Sequence, residues 1–135
     1  MRTTSNFSVA SFEPTEMTGD IETGTTVGVA RMVKEFTGGL QGRSTTLFTS
    51  AFDQASGVGT YIAMESFEGS LDGRAGTLNF AHSATTHGGT DRLHELVVIV
   101  PGSGTGDLAG LTGTGTIRID DDSTHHLDFD YSLND

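Results

Sequence analysis

Along much of the chain, apolar and polar residues alternate one by one, the period of a strand with one face buried and one wet. Residues 25–36 show it clearly: Val27, Val29 and Val33 fall on one parity, Ala30, Met32 and Phe36 on the other. Similar runs bounded by Gly, Asp or Ser predict strands over residues 6–12, 40–52, 60–71, 77–85, 93–100, 113–120 and 125–133. Gly38-Gly39, Asp53–Gly57 and Asp121–Ser123 read as turns, Thr86–Gly89 reads as a loop, and Pro101 ends the sixth run because proline cannot donate to a ladder. No stretch carries a helical stripe. Eight successive strands with short links predict one all-β domain over residues 1–135, an antiparallel meander. Closing that sheet removes its exposed edges, so a closed eight-stranded barrel is expected, with a two-sheet sandwich as the alternative.

The alternation also sorts faces. Leu78, Phe80, His82 and Ala84 share one side of the fifth strand; Tyr61, Ala63, Glu65 and Phe67 share one side of the fourth. A turn centred near Gly73-Arg74 that pairs Phe67 with Phe80 sets Glu65 beside His82 on the apolar side. A slip of one residue would turn Ser66 or Glu68 inward and remove the pair. On the eighth strand Leu127, Phe129, Tyr131 and Leu133 should face the lumen, and His126, Asp128, Asp130 and Ser132 the water. A carboxylate that orients an imidazole makes a usable general base. The catalytic candidates are therefore Glu65, His82 and Tyr131, and the substrate-binding candidates Tyr61, Phe48, Phe67, Leu78, Phe80 and Phe129. The blander reading is a core histidine satisfied by a structural Glu65.

Composition narrows the chemistry. The 135 residues include 19 Gly and no Cys, and 34% are hydrophobic, which favours turns and strands and rules out disulfide or thiolate chemistry. A formal charge of -11 repels phosphate backbones and anionic headgroups, so neither nucleic acid nor membrane is an expected partner. The longest apolar run, Leu96–Val100, has strand length, and residues 1–6 lack the apolar stretch of a leader; the cytoplasm is the expected compartment. His82, His87, His94, His125 and His126, with Glu65 or Glu95, could supply metal ligands, but their spacing fits no metal motif. Asp120–Asp122 lacks a calcium-loop pattern, and Gly102–Gly110 lacks the lysine of a phosphate-binding loop and the spacing of a dinucleotide fingerprint. Gly102-Ser103-Gly104 is too short for a nucleophile elbow. The glycine-rich segment is expected to form a tight barrel corner, and no cofactor or metal is expected.

Phe67-Glu68-Gly69-Ser70-Leu71-x-Gly73-Arg74-x-Gly76, then His82, then Val100–Gly113, resembles a family of small bacterial proteins known only as a domain of unknown function. Their fold is similar to the allene oxide cyclase barrel, and Gly104-Thr105-Gly106 to Gly113 also resembles the glycine motif of dirigent proteins. The resemblance implies a barrel that binds an apolar small molecule and steers isomerisation or cyclisation without a cofactor. It assigns no role to Glu65 or His82. Two other readings stand beside the enzyme: a non-catalytic binding barrel, and a filled barrel acting through its surface in an oligomer such as a homodimer.

Overall fold

The computed structural model describes residues 1–88 and 91–133. Eight strands follow one another: β1 (Arg2–Pro14), β2 (Val27–Gly38), β3 (Leu40–Asp53), β4 (Val58–Leu71), β5 (Arg74–His87), β6 (Asp91–Ile99), β7 (Leu111–Ile119) and β8 (His125–Leu133). Each pairs antiparallel with the next, and β8 returns to β1, so the sheet closes. The expected strands are all present, several of them longer than the alternation suggested. Thr86 and His87 belong to β5 rather than to a loop, and Gly89 lies outside the described residues.

Closure leaves one face of every strand inside. Phe36, Phe67, Phe80 and Phe129 meet there, with ring centroids 5.6 Å apart for Phe36–Phe67 and 5.3 Å for Phe80–Phe129. Below them Leu40, Leu71, Leu78, Leu111 and Tyr131 fill one end of the barrel. Leu108 plugs it from a 3-10 turn (Gly106–Leu108) in the β6–β7 connection. That connection is the glycine-rich segment, held down by Thr105 N–H donating to the Thr77 carbonyl (3.0 Å). It forms the tight corner its composition implied.

The β4–β5 register corrects one expectation. The hairpin turns on Asp72-Gly73, with Leu71 opposite Arg74, so Phe67 faces Leu78 and Glu65 faces Phe80. The ladder is thus shifted by two residues from a Phe67–Phe80 pairing. Asp72 adopts φ 48° and Gly73 φ 85°, the left-handed pair that a two-residue hairpin requires. An even shift keeps every side chain on its expected face, so Glu65 and His82 still point inward.

Asp128 departs from its expected exposure. It sits on the outer parity of β8 but is buried, because Thr4 donates to Oδ1 and Arg118 to Oδ2, both at 2.8 Å. Arg118 holds its carboxyl below the usual range, outweighing the partial burial that acts the other way.

Candidate active site

Lys34 on β2, Ser44 on β3, Glu65 on β4 and His82 on β5 meet in the middle of the lumen, above the phenylalanine layer. Glu65 is its centre, 1% exposed. Ser44 donates to Glu65 Oε1 (2.7 Å), while Lys34 Nζ (2.8 Å) and His82 Nε2 (2.5 Å) both reach Oε2. The Glu65–His82 contact is diagonal: the residue directly opposite His82 is Ala63, whose small side chain leaves room for the imidazole.

The partners fix the imidazole's protons. A carboxylate only accepts, so Nε2 carries the hydrogen and donates to Glu65. Nδ1 then has a free lone pair, and it accepts from the Tyr61 hydroxyl at 2.9 Å. Tyr61 in turn accepts from Arg92 Nη2 (2.7 Å), and Arg92 Nε is held by Glu95 (2.6 Å). One chain of hydrogen bonds therefore runs from Arg92 through Tyr61 and His82 to Glu65, where Lys34 closes it.

The charges follow from the geometry. Burial alone would raise the Glu65 pKa, but the His82 hydrogen bond and the Lys34 charge overcome it and bring it down to about 2. Burial lowers the His82 pKa despite the Glu65 hydrogen bond, and the Lys34 ammonium lowers it further. His82 is thus the neutral base of the cluster, and Lys34 with Glu65 forms a buried ion pair of zero net charge. Burial raises the Tyr61 pKa against the opposing pull of Arg92, so Tyr61 stays a phenol at neutral pH.

Tyr61 is also the link to the outside. Its ring lines a cup of about 440 Å³ at the β3–β4 end of the barrel, together with Phe12, Phe48 and Phe52 and the polar Ser50, Thr60 and Thr86. Phe48 stacks on Tyr61 with centroids 5.1 Å apart and planes at 19°, and Phe12 meets Phe48 edge-on at 6.0 Å. Glu65 and His82 do not line this cup; they lie beneath Tyr61.

The expected site residues separate into groups. Glu65, His82 and Tyr61 come together, and Phe48 joins Tyr61 at the cup. Phe67, Leu78, Phe80 and Phe129 are 0–2% exposed, part of the packed layer below the cluster and not of the cup wall. Tyr131 is placed at the far end of the barrel, where its hydroxyl donates to Asp72 Oδ2 (2.5 Å). Burial and that carboxylate push its pKa up to about 12, and no contact connects it to His82, which takes it out of the cluster.

Lys34, Ser44 and Arg92 escaped the sequence reading, and Glu95 entered it only as a possible metal ligand. Lys34 carried a signal, a lysine on the parity of Ala30, Met32 and Phe36. Arg92 carried none, because β6 is irregular there: the β5–β6 register shifts between Ser83 and Thr85, and His94 takes φ 56°.

Residues 3–131 match a family described as protein of unknown function, DUF3224. The chain belongs to the DUF3224 family. A solved DUF3224 protein of unknown function from Shewanella oneidensis MR-1 is 30% identical, with a TM-score of 0.85 over 100% of this chain and 98% of that one. No curated protein matches the chain. Membership in DUF3224 brings a fold but no reaction, so the chemistry rests on the geometry of the site. No helix among the described residues is long and apolar enough to cross a membrane.

Proposed function

We propose that this protein is a cofactor-independent isomerase or cyclase that holds an apolar, oxygen-bearing small molecule in the aromatic cup. One observation carries the reading: an unbroken hydrogen-bonded chain from the cup wall at Tyr61 to the buried base His82. The Tyr61 oxygen accepts from Arg92 and keeps a second lone pair for a substrate proton. As that proton arrives, the Tyr61 hydrogen passes to His82 Nδ1. Arg92 steadies negative charge at the phenol oxygen, and Glu65 steadies the imidazolium. The reverse transfer returns a proton to another atom of the same substrate, so no redox partner is required. The resemblance to allene oxide cyclase-like barrels supports the same class of reaction by analogy of fold. A cytoplasmic location and self-association belong to this proposal as well.

The alternative is a non-catalytic binding barrel, favoured by the fact that His82 and Glu65 lie behind Tyr61 rather than on the cup wall. One experiment separates the two. Cyclic enones and 1,3-diketones are incubated with the protein in deuterium oxide, and exchange next to the carbonyl is followed by proton NMR. Binding is measured in parallel by fluorescence. The enzyme reading expects exchange that drops by about 10²–10⁴ in Tyr61→Phe, with affinity changed only a few-fold. Saturable binding without exchange above the buffer rate would establish a binding barrel instead.

A further inference from the structure

The outer wall of the barrel is as unevenly built as its interior. The register carries Leu47, Met64, Ala81 and Val98 into one transverse row across β3–β6. The next row is Thr49, Ile62, Ser83 and Leu96. Ile62 is 66% exposed, Leu47 65%, Leu96 52% and Met64 46%. These are large aliphatic side chains, contiguous and turned to water, unlike the scattered apolar residues that every surface carries.

The same rows carry no charge, in a chain with 18 acidic residues and a formal net charge of -11. The nearest charges are Arg31, opposite Leu47, and the Arg43–Glu68 ion pair (2.7 Å) beyond Thr45 and Ser66. The acids collect elsewhere: Asp128 and Asp130 on β8, Glu16, Asp20 and Glu22 in the β1–β2 loop, and Asp120–Asp122 in the β7–β8 turn. Two copies of so acidic a protein repel each other across most orientations. The neutral wall is where a second copy can approach without that repulsion, and charge depletion with an apolar centre is the mark of an interface core.

We infer that the β3–β6 wall, centred on Ile62 and Met64, is the face by which two copies of this chain pair about a two-fold axis. Its size fits a modest interface. Together with the uncharged rows on either side, Thr45, Ser66 and Asn79 and Ala51, Thr60, Thr85 and Leu93, four strands about 4.8 Å apart and four same-face rows about 6.8 Å apart span at most roughly 500 Å² of curved wall per copy. Two copies then bury at most about 1,000 Å², the lower edge of a specific interface. A two-fold axis brings the aliphatic rows onto themselves, so no complementary second surface is needed. The cup mouth opens at the end of the barrel rather than on this wall, so pairing leaves the site accessible. The inference does not depend on the proposed reaction.

Sedimentation equilibrium of the full chain tests it, across roughly 1–300 µM, a span wide enough to catch the micromolar affinity that so small an area gives. The mass is expected to rise from 14.1 kDa toward twice that value. Ile62→Glu should weaken association at least tenfold. Val9→Glu adds the same charge at an exposed apolar site on β1, outside the rows, and should leave association unchanged. Circular dichroism confirms that both variants are folded, and Ile62→Ser repeats the test if Ile62→Glu is not. A monomer throughout, a mass of three copies, equal effects of Ile62→Glu and Val9→Glu, or vesicle binding in place of self-association would each overturn the inference.

Discussion

Lys34 sets the charge state of the buried cluster. Its ammonium lies 2.8 Å from Glu65 Oε2 and 3.5 Å from His82 Nε2, so it neutralises the carboxylate and repels a second proton on the imidazole. In Lys34→Met, Glu65 is left with His82 as its one source of compensating charge. His82 is then expected to become an imidazolium at pH 7. Nitrogen-15 NMR checks this: the wild type should show one protonated and one bare ring nitrogen, the variant two protonated ones. An unchanged spectrum would mean that Lys34 does not set the protonation state of His82. Stability should fall by about 3–5 kcal/mol, the cost of breaking a buried ion pair. Thr46, fully buried directly opposite Glu65, has a hydroxyl with no hydrogen-bond partner among the described residues, a polar atom within the lumen.

Two features belong to the strands. Gly42 on β3 faces Gly69 on β4, both at φ 149°, and a Cβ on either would run into the backbone of the other strand. The pair lets β3 and β4 coil tightly at the plugged end. Gly69→Ala is expected to cost about 2–4 kcal/mol, read as a lowered chemical-denaturation midpoint with the slope unchanged. The second feature is the seam between β6 and β7, where the ladder runs only through Val98–Thr114 and Ile99–Gly113. Further along, the Glu95 side chain substitutes for a strand partner by accepting from the Ile117 amide (3.3 Å) while it holds Arg92. Glu95→Ala should therefore speed hydrogen exchange at Ile117 and release Arg92 from Tyr61, while amides of the β3–β4 ladder keep their protection. Equal loss of protection around the whole barrel would show that Glu95 supports the fold rather than the seam.

For the molecule as a whole, the cluster ties stability to pH. The Glu65 pKa is 4.5 in its unperturbed form and about 2 in the fold, so its stabilising contribution is present above 4.5 and is lost as pH falls toward 2. His82 is lowered from 6.5, so below 6.5 the unfolded chain takes up a proton that the folded chain does not. Both effects run in the same direction. The thermal midpoint should decline once pH falls below about 6.5, and more steeply below about 4.5. In His82→Gln the upper part of that decline should vanish. A wild-type midpoint that stays flat down to pH 4 would contradict the buried neutral imidazole.

The alternation of side chains determined a great deal by itself: eight strands, an all-β domain, and the inward parity of Glu65, His82, Tyr61, Phe67, Phe80 and Phe129. Parity is local, a consequence of successive side chains pointing to opposite sides of the pleat. It survived a register shifted by two residues for the same reason. Depth along the barrel is not local. Whether Tyr131 lies near His82 or at the plugged end depends on the stagger of all eight strands around the closed sheet. The tertiary structure alone therefore decided that Tyr131 meets Asp72, that Phe67, Phe80 and Phe129 pack below the cluster, and that Arg92 reaches Tyr61 across an irregular strand. It also placed Lys34 beside Glu65, since a lysine can be buried only where a distant strand brings it a countercharge.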